Sequence, residues 1–120
     1  EYLSALNKGD FILGAKLYDG SIELLQIWNP DITNDLPALL ERACTQNGLV
    51  CMNPSSIAYR GMDDYGNHLF RVEFSNSDGS LFQQGPCCGD EEGITVTNFL
   101  FRVIKTDSGN TVLDLPPYVP

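Results

Sequence analysis

Four residues have the types and spacing for acid–base chemistry. Arg71 and Glu73 lie two apart in HLFRVEF, which opens with His68, and Arg102 lies in the apolar run ITVTNFLFRVIK. Residues two apart on a strand point to one face, so Arg71 and Glu73 share a face that Arg102 can join from a neighbouring strand. A carboxylate base, a histidine acid and arginines on one sheet face are the parts of a hydrolytic site. His68 is five residues from Glu73. A regular strand turns it to the opposite face, with Phe70, Val72 and Phe74, unless a bulge intervenes. An Arg–Glu–Arg cluster across strands is also an ordinary structural ion network. That reading is preferred, so no catalytic residue is assigned, and hydrolysis through Glu73, Arg71, Arg102 and His68 is kept as the alternative.

Two acidic stretches come next. DDYGN contributes Asp63, Asp64 and Tyr65, and CCGDEEG contributes Asp90, Glu91 and Glu92. Exposed tyrosine beside charge favours recognition, so these six residues are the candidate binding residues. Asp63, Asp64 and Asp90 could supply oxygens to calcium. Neither stretch has the spacing of an EF-hand loop, and Asp, Asn and Gly are also what turns need, so no metal is assigned.

The cysteines are Cys44, Cys51, Cys87 and Cys88. Their spacing matches no zinc pattern, and they are read as disulfide partners. A bond between the neighbours Cys87 and Cys88 closes a strained ring. The expected arrangement therefore ties Cys44 and Cys51 to the acidic loop, with a local Cys44–Cys51 bridge as the rival. Nucleophile-elbow, P-loop and dinucleotide fingerprints are absent, and no cofactor is expected.

The totals bound the class. The chain has 120 residues, 42% of them hydrophobic and 19% charged, with a formal net charge of -9. This fits one globular domain. Its seven Lys and Arg are scattered, which disfavours tracking of nucleic-acid phosphates or an anionic membrane. No apolar run reaches the roughly 18 residues of a membrane span. The even cysteine count, and a start at Glu1 that suggests processing or a chosen boundary, point to a secreted or cell-surface protein.

The elements that must position these residues follow from periodicity. Leu36, Leu39, Leu40, Ala43 and Cys44 form one apolar stripe, Asp35 can cap its start, and Asn47-Gly48 is a stop, so the main helix is expected over about 35–47. Before it, DFILGAKLY and SIELLQIW flank Asp19-Gly20, which predicts a β-hairpin; one helix over 2–18 competes, but Gly9 and Gly14 count against it. After it, strands are expected at 56–62, 68–74, 81–84, 94–105 and 111–115, as an antiparallel meander. In that meander DDYGN and the CCGDEEG loop fall at the same end. Residues 1–9 are read as a short helical turn or a loose N-terminal arm, and 116–120 as a Pro-rich tail that cannot continue in a sheet interior. The fold class is α+β, a helix packed on an antiparallel meander and preceded by a hairpin.

In the order of its elements, hairpin then helix then strands, the chain resembles the small microbial ribonucleases of the guanyl-specific type. The likeness lies in that order alone. It implies a ribonuclease-like hydrolase with Glu73, Arg71 and Arg102 at the site. The favoured expectation is a small acidic domain that acts by protein–protein binding or self-association. Filament or adhesin subunits and effector or toxin-like domains share this profile. A filament subunit would use the N-terminal arm or the tail for intermolecular pairing.

Overall fold

Glycines punctuate the first part of the chain, and each has a separate role. The computed structural model describes residues 1–84, 96–106 and 109–118. It forms helices where the hairpin was expected. Helix α1 (Tyr2–Lys8) closes at Gly9, whose φ of 82° reverses the chain, and Asp10 then caps α2 (Phe11–Leu17) by accepting from the Leu13 N–H. Gly14 lies inside α2 because a Cβ there would come within 3.0 Å of Leu6 on α1. Gly20 falls in the link to α3 (Glu23–Trp28), pressed on the Leu113 carbonyl. The expected hairpin over residues 10–28 is thus corrected to two short helices. Asp-Gly is a turn signal in either setting, and burial of one side of α2 and α3 decided between them. The element order that resembled the guanyl-specific ribonucleases disappears with the hairpin.

Asn29 ends α3 from inside the protein. Its amide donates to the Leu25 carbonyl and, at 2.8 Å, to Asn47 beyond the next helix. Helix α4 (Leu36–Thr45) lies within the expected span, with Asp35 accepting from the Ala38 N–H and a proline in the first turn. Leu39, Leu40 and Ala43 of its stripe are fully buried. Gly48, at φ 81°, turns the chain so that the Leu49 N–H reaches the Ala43 carbonyl. Cys44 bonds Cys51. The tie from these cysteines to the acidic loop is therefore corrected to the local bridge; Cys87 and Cys88 lie outside the described residues.

Strands β1 (Pro54–Met62), β2 (His68–Phe74), β3 (Phe99–Thr106) and β4 (Gly109–Val112) form an antiparallel sheet in that order. The fold is α+β, with four helices in place of the single expected one. Opposed residues share a face, so Phe70, Val72 and Phe74 of β2 and Phe99 and Phe101 of β3 line the inner face. Phe74 is the hub, with Phe99 and Phe101 rings at 5.8 and 6.3 Å. Leu6, Leu25, Leu39 and Leu40 from the helices complete one buried cluster.

The expected strand at 81–84 does not join the sheet. Ser75 pairs with Leu81 and Gln84 with Val96 as single bridges, while Phe82 fills the core against Phe99. Losing that strand changes which turns are neighbours. The chain leaves β2 at Phe74, the end opposite the DDYGN turn. Asp90, Glu91 and Glu92, expected beside that turn, lie outside the described residues.

Neither terminus is a loose arm where it is described. α1 buries Tyr2, Leu3, Ala5 and Leu6. The Pro117 carbonyl accepts from the Val50 N–H, Tyr118 bridges Leu49, and its ring meets Trp28 edge-on at 5.2 Å. Apolar side chains at these positions have a core to fill, which outweighs fraying. Among the described residues no helix is long and apolar enough to cross a membrane.

Candidate functional site

The helical layer covers only part of the sheet's inner face. Phe74, Val72 and Phe101 are buried, but Phe70 is half-buried, and on β1 Ile57, Tyr59 and Met62 are 57%, 54% and 58% exposed. Ile57 opposes Val72 and Tyr59 opposes Phe70, so these side chains continue the core face past its cover. Beside them an apolar groove of about 610 Å³ opens between the first turn of α1 and the sheet, floored by Ile57, Phe70, Val103 and Val112.

β1 is also an outer strand. It pairs with β2 along one side only, and residues 55–60 are all exposed. Two register shifts bracket its straight part, between Pro54 and Ser56 and between Tyr59 and Met62. Gly61, at φ 89°, provides the left-handed residue of the second bulge. Tyr59 is held in place from the sheet: its hydroxyl shares a 2.9 Å hydrogen bond with Nδ1 of His68, and its ring packs on Phe70 at 5.3 Å.

At the end of β1 the DDYGN turn extends this surface. The Asp63 carboxylate accepts from the N–H groups of Tyr65 and Asn67, both at 2.9 Å, and from the Asn67 amide. Partial burial pushes that carboxyl up, yet the hydrogen bonds from Asn67 and Tyr65 prevail and hold it below the ordinary carboxylate range. Asp63 therefore shapes the turn. Asp64 is exposed, and Tyr65 stands 90% exposed at the tip.

The candidate hydrolytic residues are divided by the sheet. Arg71 opposes Ala58 and Leu100, Glu73 opposes Ser56, and Arg102 opposes Leu69, which puts all three on the outer face. His68 is on the inner face with Tyr59 and Phe70. Arg102 is occupied by Asp114, which accepts from its guanidinium at 2.8 and 3.0 Å and from its N–H at 2.8 Å. The side-chain bonds to Asp114 raise the Arg102 pKa further. No ion pair joins Glu73 to Arg71 or Arg102 among the described residues. Among those residues no group of three or more His, Cys, Asp or Glu could hold a metal ion.

Ile57 and Met62, which sequence reasoning passed over, and Tyr59, which it placed among the tyrosines at strand edges or loops, thus form most of the exposed apolar surface here. The alternation of Ile57 and Tyr59 marked a strand but carried no sign of what would cover it. No family model matches the chain, and no curated protein or solved structure shows significant similarity to it.

Proposed function

We propose that this chain is a protein-binding domain whose contact surface is β1 and the apolar row beside it. One observation carries the reading: among the described residues nothing pairs with the outer edge of β1, and along it large apolar side chains stand more than half exposed. An extended partner laid on such an edge gains main-chain hydrogen bonds from the strand and specificity from alternate side chains. Those side chains would pack on Ile57 and Tyr59 and point towards the groove under α1. Tyr65 adds a rigid aromatic contact at the end of the strand. The net charge of -9 favours a partner with basic residues on its remaining positions.

The Cys44–Cys51 disulfide is compatible with an extracellular setting, where such bonds persist. A secreted or cell-surface recognition domain of the adhesin or effector kind fits a single open contact edge, whereas a filament subunit would need a second. The test is an array of extended peptides that alternate apolar and basic residues, probed with the oxidised protein. The expected result is a set of peptides bound by the parent chain and released by an Ile57→Lys, Tyr59→Lys variant of unchanged melting temperature. Equal binding by that variant, or no binding to any peptide, would count against β1 as the contact surface.

A further inference from the structure

We propose that the strand laid on β1 is β1 of a second copy of this chain, antiparallel, about a two-fold axis at Ala58. This pairing rests on the reading of β1 as the contact surface and goes beyond it by naming the occupant.

Symmetry and the pleat leave few registers. Opposed residues of two identical antiparallel strands must share a face, so the axis falls on a residue and not between two. The straight part of β1 lies between its bulges, which leaves Ile57, Ala58 or Tyr59 as the centre. An axis at Ile57 sets Tyr59 against Ser55, inside the first bulge. An axis at Tyr59 sets Ile57 against Gly61, inside the second. The axis at Ala58 keeps the apolar pair, Ile57 with Tyr59, inside the straight part and meets the second bulge only at its first residue, Arg60. It opposes Ile57 with Tyr59 of the second copy, twice over, and Ser56 with Arg60, twice over. An aromatic against a β-branched residue is a favourable cross-strand pair. Ala58 at the axis is small and exposed, so nothing holds the strands apart.

Charge agrees with this register. On its other side Ser56 is opposed by Glu73, on the outer face. Arg60 of the second copy, arriving opposite Ser56, comes within side-chain reach of Glu73. Neither Arg60 nor Glu73 has an ion-pair partner within its own chain among the described residues. The symmetric pair supplies two such contacts, which oppose the repulsion between two acidic chains. The two sheets then run on as one, with both helical layers on the same face and the two grooves meeting over the Ile57 and Tyr59 row.

The experiment is sedimentation equilibrium of the oxidised full chain over a wide concentration range, joined to cysteine cross-linking. The expected mass rises from 13.2 kDa towards twice that value. Ile57→Lys should abolish the doubling and keep the melting temperature that the parent shows at dilutions where it is monomeric. Ala58→Cys should form a covalent dimer whose mapped link joins the introduced thiol of one copy to the same thiol of the other. Ser56→Cys should link only when mixed with Arg60→Cys. A doubling that survives Ile57→Lys, or efficient Ser56→Cys self-links, would overturn the register. A chain that stays monomeric throughout and yet binds peptides through Ile57 and Tyr59 would overturn self-pairing while leaving β1 as the contact surface. Loss of both would remove the two readings together.

Discussion

The two edges of this sheet are treated in opposite ways. At β4 the link between α2 and α3 lies along the outer side: Tyr18 bridges Val112, the Asp19 N–H donates to the Val112 carbonyl at 2.8 Å, and Gly20 nestles on the Leu113 carbonyl. Tyr18 is fixed in turn by its hydroxyl, which donates to the Ser21 carbonyl, and by stacking on Tyr2 at 6.0 Å. At β1 none of the described residues lies along the outer side. Unpaired edges invite pairing with other chains, and proteins commonly cover, shorten or charge them. Here one edge is covered and the other carries Ile57 and Tyr59. The contrast underlies the proposal that β1 is a surface for contact, and it makes β4 part of the frame.

The largest effect expected from breaking this contrast is at Gly20. A Cβ there collides with the Leu113 backbone, so Gly20→Ala should cost about 3 kcal/mol in chemical denaturation, as overpacking against backbone does. Next comes the disulfide, which anchors the chain to α4 just before β1 begins. Cys44→Ser with Cys51→Ser should cost about 2.5 kcal/mol, from the entropy of a short closed loop. The same denaturation experiment would read it, and amide exchange should rise first in β1.

A smaller effect probes the covered edge by pH. Burial, with Asp114 adding and Arg102 opposing, pushes the Tyr18 hydroxyl from its ordinary 10.0 up to about 12. The neutral hydroxyl is therefore favoured in the folded state. Its contribution is complete below pH 10 and is lost as pH rises through 12, by about 2 kcal/mol once solvent screening is allowed for. Tyr18→Phe should reduce the alkaline loss in a pH series of melts, the buried Tyr2 hydroxyl, also pushed up by burial, supplying the remainder. The smallest effect on stability sharpens the contrast: Ile57→Lys should change it by less than about 0.5 kcal/mol, because the side chain is already mostly in water. A large loss in the dilute monomer would show that β1 belongs to the frame as β4 does.

What could be read from the sequence was local. The α4 stripe, its Asp35 cap and the span of β2 follow from periodicity and capping within a few residues. The region over 10–28 did not, because Asp19-Gly20 adopts its conformation against β4, at the far end of the chain. The same holds for Leu81, where a strand-like run is used as a plug so that Phe82 can fill the core. At the candidate site Tyr65 was legible as an exposed aromatic in a turn. Tyr59 was legible only as a tyrosine at a strand edge or loop, and Ile57 was not, because exposure of a strand residue depends on its neighbours, and the missing neighbour is the fact that matters.

The cover on β4 also sets how far assembly can go. An antiparallel sheet grows without limit only if each unit offers two docking edges. With Tyr18 and Asp19 seated on Val112, β4 is blocked there, and among the described residues β1 is the edge left open. A symmetric pair joined at β1 uses the single open edge of both partners and leaves none exposed. Its valence is one, so it stops at two chains, and the short link around Gly20 is what separates a finite complex from a fibre.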